Sequence, residues 1–170
     1  MTISPALLAQ ANDLLALYRA KGLTIAVAES CTGGMVCALL TESPGASDVV
    51  DRGFVVYSNA AKTELLGVAE ATLASAGAVS AETARAMADG ALARSRADIA
   101  LAITGVAGPG GGAPDKPVGL VWFAAARRGG ATLVVEKRFG DLGRGRVRLA
   151  AVNQALAMAR AAAENGPRSG

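Results

Sequence analysis

Residues 24–34 read TIAVAESCTGG, and this stretch decides the fold class. Its first five residues form a short apolar run of the kind that marks a strand covered on both faces of a sheet. Residues 29–34 predict the turn that follows, and residues 35–40 predict a helix. A buried strand that passes directly into a helix indicates an α/β protein.

The rest of the chain predicts helices and strands in alternation. Apolar spacing, serine caps and closing glycines indicate the helices, while apolar runs bounded by turns indicate the strands. The predicted helices cover residues 5–20, 58–66, a long segment that opens at 80–83, and 143–164, and the predicted strands cover 51–57, 98–104 and a hairpin of 118–126 with 131–139. This order predicts an α/β fold, a three-layer α/β/α sandwich around a mixed, mostly parallel sheet of about five strands.

Length and composition predict one domain. A chain of 170 residues suits a single sizeable core, and no linker or internal repeat interrupts it. We expect one domain over residues 1–170, with a core at about 5–162 and a frayed tail at 165–170. No apolar run approaches the ~20 residues that span a bilayer, and residues 1–5 lack the basic and apolar pattern of a secretion signal, so we expect none. We therefore expect a cytoplasmic protein with no membrane partner.

The absence of histidine limits the chemistry. It excludes Ser-His-Asp and Cys-His mechanisms and histidine metal sites, so any reaction must use Ser, Thr, Tyr, Lys, Asp or Glu. Cys31 and Cys37 lie six apart in one predicted helical segment, which forbids a disulfide, and two thiols alone make a poor metal site. We therefore expect no metal and no cofactor.

The net charge of +3 is modest, and few aromatic residues accompany it. Without a stacking pattern beside the charge, we expect no nucleic-acid partner. Arginines cluster near the carboxy-terminal end, at Arg138, Arg144, Arg146 and Arg148. They either form a solvated face or bind a ligand phosphate, whose geometry guanidinium groups match.

Ser30 lies in the turn after the first predicted strand, where open α/β sheets place their ligands. Gly33 and Gly34 carry no side chains, so the first N–H groups of the next helix could hold an oxyanion or a phosphate. The alternative is that Ser30 or Thr32 simply caps this helix.

A second candidate group follows the second predicted strand. Tyr57 ends that strand, and Lys62 lies one helical turn beyond the predicted cap Ser58. A lysine desolvated at such an edge can act as a neutral base, and without histidine it is the only partner available to a serine nucleophile. The alternative is an ordinary surface lysine on a helix.

A glycine-rich loop follows the central strand and includes Thr104, Gly105 and Gly108. Glycine lets backbone amides approach a ligand closely, although neither a P-loop lysine nor the helix of a dinucleotide fingerprint follows. The alternative is a flexible crossover between strands. Further on, Arg144 and Arg148 either reach a phosphate or decorate the start of the last helix.

Five segments, taken in order, resemble one family. They read AESCTGG at 28–34, GFVVYSNAAKTELLGV at 53–68, GAVSAETA at 77–84, ADIALAITGVAGPGGG at 97–112 and KPVGLVW at 116–122. In this order they are similar to the CinA carboxy-terminal domain over roughly residues 5–162. The chain resembles the stand-alone form of that domain, without the amino-terminal molybdopterin-binding-like domain of longer members.

The resemblance implies an activity. The family's stand-alone members are nicotinamide mononucleotide deamidases, which hydrolyse that nucleotide to nicotinic acid mononucleotide and ammonia in pyridine-nucleotide salvage. The resemblance also implies that the protein forms a homodimer. It further implies that the protein binds a small-molecule nucleotide as its substrate. A second interpretation is a catalytically silent module that grips a nucleotide with the same glycine-rich loops.

The resemblance also implies roles for single residues. Ser30 resembles the family's nucleophile, and Lys62 and Tyr57 resemble the groups that activate it. Thr104 falls at a position that would line the site. Arg144 falls near the arginine of the family's Phe-x-Gly-Asp-Arg segment, which reads Phe-Gly-Asp-Leu-Gly-Arg here, so Arg146 and Arg148 remain alternatives.

Overall fold

A computed structural model describes residues 3–165 of the chain. Its strands are Ile25–Glu29 (β1), Val50–Val55 (β2), Ile99–Gly105 (β3), Leu120–Arg127 (β4) and Leu133–Arg138 (β5). Its helices are Pro5–Lys21 (α1), Met35–Thr41 (α2), Asn59–Leu66 (α3), Glu70–Ala76 (α4), Ala81–Ala93 (α5) and Arg144–Glu164 (α6), with a 3-10 turn at Ala46–Asp48.

The strands form one mixed sheet in the order β2-β1-β3-β4-β5. β1 pairs in parallel with β2 and β3, while β4 runs antiparallel to both of its neighbours. The reversed β4 therefore makes two of the four pairings antiparallel, although the other four strands share one direction. The predicted mixed five-stranded α/β sheet is confirmed.

Two buried clusters cover the two faces of the sheet, which gives the predicted three layers. One face presents large side chains such as Val27, Leu101 and Phe123 to α1, α2 and α6. The other face presents mainly alanines, such as Ala28 and Ala102, to α5. Because alanine leaves little volume between helix and sheet, α5 packs close to the strands.

The structure differs from the sequence prediction in a few local elements. The helix α4 was not predicted, because it buries none of its side chains and so shows no apolar periodicity. Cys31 lies in the turn before α2 rather than inside a helix, and both cysteines are free. Residues 166–170 of the predicted tail lie outside the described part. No helix within residues 3–165 has the length and apolar character needed to cross a membrane.

Gly90 in α5 lies so close to α3 that an alanine at this position is expected to destabilise the protein. A Cβ atom there would overlap the carbonyl oxygen of Leu66 at the end of α3. We expect Gly90→Ala to lower the free energy of unfolding by about 1–3 kcal/mol, as overpacking does, measured by chemical denaturation. Gly145 in α6 meets no atom within 4 Å, so Gly145→Ala should stabilise by up to about 1 kcal/mol. A Gly90→Ala protein as stable as wild type would contradict this packing.

Candidate active site

The carboxyl ends of β1 and β3 open into a cavity of about 260 Å³. Open α/β sheets bind ligands at this edge because the loops that follow parallel strands diverge there. The cavity brings together residues that lie far apart in the sequence. Its lining includes Ser30, Tyr57, Lys62, Thr104, Gly105, Gly108 and Arg144.

Lys62 is buried beside Ser30. Ser58 caps α3 by accepting a hydrogen bond from the backbone N–H of Ala61, and Lys62 in the first turn of this helix is buried. The Lys62 side chain is 1% exposed, and its Nζ lies 3.2 Å from the Oγ of Ser30. The structure therefore does not support the alternative of a surface lysine.

Two carbonyl groups complete the surroundings of the Lys62 amine. Its Nζ donates to the oxygen of Val56 at 3.1 Å and to the oxygen of Tyr57 at 3.3 Å. Burial lowers the pKa of Lys62 below the ordinary lysine value. A neutral amine has two N–H bonds and one lone pair, so two carbonyls and one serine hydroxyl match it. The arrangement can remove a proton from Ser30.

Ser30 is held at the ends of the two central strands. Its backbone N–H donates to the oxygen of Ile103, and its carbonyl accepts from the N–H of Gly33. The hydroxyl contacts Lys62, while the N-cap residue of α2 is Gly34, which has no side chain to form a cap. The structure thus shows neither Ser30 nor Thr32 capping the helix.

The N–H groups of Gly33 and Gly34, for which the sequence predicts a role in holding an oxyanion, already donate to acceptors within the protein. Glu29 lies at the end of β1, and its carboxylate accepts from the N–H groups of Gly34, Val36 and Cys37 at 3.0, 3.1 and 2.9 Å. The N–H of Gly33 bonds within the turn. Sequence reasoning missed Glu29, although an acidic residue just before a helix start is a known N-terminal signal.

Thr32, Gly33 and Gly34 also lie outside the cavity that contains Ser30. Gly33 and Gly34 line a neighbouring depression of about 490 Å³ together with Arg148. Thr32 is fully buried, and its carbonyl accepts from Arg148 at 2.8 Å. The structure therefore separates these three predicted binding residues from the Ser30–Lys62 pair.

The start of the glycine-rich segment is packed against its surroundings, whereas residues 109–115 of the loop are exposed. Thr104 is buried and donates from its hydroxyl to the oxygen of Ala78 at 2.7 Å. A Cβ atom at Gly105 would lie 2.7 Å from the oxygen of Leu120. Gly108 has a φ of 82°, which favours glycine. The predicted residues Thr104, Gly105 and Gly108 all line the cavity.

Arg144 and Tyr57 meet at the mouth of the cavity. Arg144 donates to the oxygen of Gly108 at 2.9 Å and to the Tyr57 hydroxyl at 3.0 Å. The Tyr57 side chain is 61% exposed, and only its carbonyl contacts Lys62. The Tyr57 hydroxyl is therefore hydrogen-bonded to Arg144, and the structure shows no hydrogen bond between that hydroxyl and Ser30.

The position of Arg144 distinguishes it from its neighbours. Arg144 lines the cavity, whereas Arg148 is turned towards Thr32 and Arg146 is exposed away from the cavity lining. Arg144 also begins α6, whose first turn contains no acidic residue and whose N-cap Gly143 offers no side-chain cap. A helix start with an adjacent guanidinium group suits an anion such as a phosphate.

The cavity contains a thiol that sequence reasoning did not place there. Cys31 follows Ser30 and lines the cavity. Burial raises the pKa of the Cys31 thiol to about 12, so the thiol stays protonated and a poor nucleophile near neutral pH. Within the described residues, no three Cys, Asp or Glu side chains group closely enough to hold a metal ion.

The known proteins that this chain resembles include one of similar length and several that are much longer. A nicotinamide-nucleotide amidohydrolase PncC from Enterobacter agglomerans is 48% identical over 130 residues, which cover 76% of this chain and 79% of that protein. A CinA-like protein from Mycolicibacterium vanbaalenii is 60% identical over 112 residues, which cover 66% of this chain and 26% of that protein. The chain spans about a quarter of the length of several such relatives.

Solved structures and a family profile agree with these relatives. The crystal structure of the competence/damage inducible protein CihA from Agrobacterium tumefaciens matches with a TM-score of 0.92 at 50% identity, covering 95% of this chain and 99% of that chain. The profile of the CinA C-terminal domain matches residues 8–163. The chain therefore belongs to the CinA C-terminal domain family.

Proposed function

We propose that this protein hydrolyses the carboxamide of nicotinamide mononucleotide to nicotinic acid mononucleotide and ammonia. The observation that carries the proposal is the buried Lys62 amine, which lies 3.2 Å from the Ser30 hydroxyl and donates to two carbonyls. The Enterobacter agglomerans relative is named a nicotinamide-nucleotide amidohydrolase, which supports the substrate class. The family and the cavity support a small nucleotide as the ligand.

The proposed reaction has two steps. Neutral Lys62 takes the proton of Ser30, and the Oγ bonds to the carboxamide carbon to give a tetrahedral oxyanion. Lys62 then returns the proton to the amide nitrogen, the C–N bond breaks, and ammonia leaves an ester on Ser30. Water then attacks that ester with Lys62 again as base, which releases the acid and restores the serine. The Ser30–Lys62 pair supplies every proton transfer in this scheme.

The oxyanion needs donors other than the start of α2, because Glu29 already occupies those amides. Ala107 and Gly108 line the cavity, and within residues 3–165 their backbone N–H groups donate to no protein acceptor. Unpaired amides that face a reacting carbonyl are the usual stabilisers of such an anion. We propose these two N–H groups in place of the amides of Gly33 and Gly34.

Arg144 is proposed to bind the substrate phosphate, with Tyr57 holding its guanidinium group in place. We expect Arg144→Ala to raise KM by about 10- to 100-fold, the loss of one or two charge-assisted hydrogen bonds, with a smaller change in kcat. Steady-state kinetics of ammonia release measure both constants. Arg146→Ala is the matched control, because Arg146 does not line the cavity. Equal KM increases in the two variants would contradict the assignment.

The function is tested by incubating purified protein with nicotinamide mononucleotide. Ammonia and nicotinic acid mononucleotide should appear in equal amounts. The second interpretation, a silent nucleotide-binding module, predicts binding by calorimetry without ammonia release. Its basis is that the same cavity, loop and arginine would bind a nucleotide without any chemical step.

We further propose that the chain forms a single domain and acts as a homodimer in the cytoplasm. One continuous sheet with a cluster on each face supports a single domain. The dimer is implied by the family resemblance, and the exposed Val55 on the edge strand β2 suits such a contact. The mass in solution, measured by light scattering, tests the dimer.

A further inference from the structure

We propose that Glu29 is a positioning residue, whose carboxylate holds the turn after β1 so that the Ser30 hydroxyl stays on the Lys62 amine. The inference rests on the proposed function, because it assigns Glu29 a part in presenting that nucleophile. Glu29 does not line the cavity, so it acts through Ser30 and not on the substrate.

The Glu29 carboxylate is buried and is held by backbone groups alone. Glu29 is 1% exposed, and among the described residues no lysine or arginine forms an ion pair with it. Its oxygens accept the N–H groups of Gly34, Val36 and Cys37. Such charge-assisted bonds to a helix start are stronger than neutral ones and compensate for the buried charge. The carboxylate therefore ties the start of α2 to the end of β1.

The tied segment is the turn that carries Ser30. Gly33 and Gly34 have φ angles of 60° and 92°, so the turn contains two consecutive residues with wide conformational freedom. One end of the turn is fixed where the Ser30 N–H bonds to Ile103. At the other end, the Glu29 side chain accepts the N–H of Gly34. Without the carboxylate, this end loses its only side-chain attachment to β1 among the described contacts.

Lys62 is fixed by other contacts. The backbone oxygen of Glu29 accepts the N–H of Val56, and the oxygen of Val56 accepts from Lys62. These backbone contacts remain when the Glu29 side chain is changed. Loss of the carboxylate should therefore move Ser30 relative to a lysine that stays in place. A shift of about 1 Å between reacting groups can cost about 100-fold in rate.

The test compares Glu29→Gln and Glu29→Asp with Asp98→Asn. Asp98 precedes the amino end of the central strand β3, opposite the carboxyl end that opens into the cavity, and its carboxylate also accepts a backbone N–H, that of Thr24, at 2.8 Å. Each protein is assayed for kcat and KM with nicotinamide mononucleotide, for its melting temperature, and for the rate at which a small fluorophosphonate modifies Ser30. The last rate reports the nucleophile without relying on the substrate.

We expect Glu29→Gln to lower kcat and the Ser30 modification rate together by about 10- to 100-fold, with KM changed less than about threefold. Glu29→Asp keeps the charge but has a shorter side chain, so its kcat and Ser30 modification rate should lie between those of Glu29→Gln and wild type. If Glu29→Gln does not fold, the comparison of Glu29→Asp with wild type tests the proposal. Asp98→Asn should lose stability while keeping kcat within about twofold. The proposal is overturned if the folded Glu29 variants keep both rates within threefold, or if Asp98→Asn loses as much.

The two proposals can fail separately. Wild-type protein that reacts with the fluorophosphonate at Ser30 but releases no ammonia would refute the substrate, and the modification rates would then decide the role of Glu29. Normal ammonia release with unchanged rates in both Glu29 variants would refute Glu29 and leave the function standing.

Discussion

Ser30→Ala is expected to lower the release of ammonia from nicotinamide mononucleotide by at least about a thousandfold, as loss of a catalytic nucleophile does. The fold should survive, because the Ser30 backbone makes the hydrogen bonds that place the turn, and within residues 3–165 its hydroxyl is hydrogen-bonded to Lys62 alone. Nucleotide binding should survive for the same reason. The measurement is kcat from continuous ammonia detection, with calorimetry for the binding constant.

Ser75→Ala serves as the control for Ser30→Ala. Ser75 lies on the exposed face of α4, and its hydroxyl donates only to carbonyls of its own helix. Its replacement should leave kcat unchanged. Near-normal turnover of Ser30→Ala would remove the serine from the mechanism and point to water activated directly by Lys62.

Lys62→Arg is expected to be as inactive as Lys62→Ala, with kcat reduced by about 100- to 10,000-fold, the usual contribution of a general base. The reason is protonation, since an arginine keeps the positive charge but its guanidinium group stays protonated at any accessible pH. A lysine that only attracted the phosphate could be replaced by arginine with much activity retained. The comparison of kcat at saturating substrate separates these two roles.

Two controls keep the Lys62 experiment interpretable. Lys62→Met keeps the buried volume without an amine, and its melting temperature shows whether loss of activity reflects loss of fold. Lys21→Arg makes the same exchange at an exposed position in the last turn of α1 and should leave kcat unchanged. A Lys62→Arg enzyme within about tenfold of wild type, a barrier change of only ~1.4 kcal/mol, would end the general-base assignment.

Much of the fold could be predicted because burial leaves a local signal. β1 and β3 are covered on both faces, so their sequences are nearly continuous apolar runs. Ser58 and Ser80 cap α3 and α5 as their positions indicate. The exposed helix α4 buries nothing and leaves no such pattern.

The candidate site was predictable in its residues but less so in its contacts. Ser30 and Lys62 follow neighbouring parallel strands, whose carboxyl ends must meet, so their proximity follows from the sheet order. The direction of Tyr57 follows from strand alternation, since the preceding Val56 is buried and Tyr57 is exposed. The family resemblance implies that Tyr57 helps to activate Ser30, whereas in the structure its hydroxyl accepts from Arg144.

Glu29 shows what the local sequence could not reveal. An acidic residue shortly before a helix start favours an interaction with that helix, but the sequence does not show which amides the Glu29 carboxylate accepts. Only the path of the turn at Gly33 and Gly34 brings three amides to that carboxylate. The sequence prediction of an oxyanion site at this helix start assumes free amides, whereas those of Gly33 and Gly34 have acceptors within the protein.

The central claim is that a neutral Lys62 activates Ser30, and the pH dependence of Ser30 modification by a fluorophosphonate tests it most directly. In that reaction the Oγ bonds to phosphorus, fluoride leaves, and the base takes the proton. Because burial lowers the Lys62 pKa, the rate should rise with pH through one inflection below the ordinary lysine value of about 10.4. Lys62→Met should react slowly and lose the inflection. An inflection at the ordinary lysine value, an unchanged profile in Lys62→Met, or no modification at Ser30 would contradict the account.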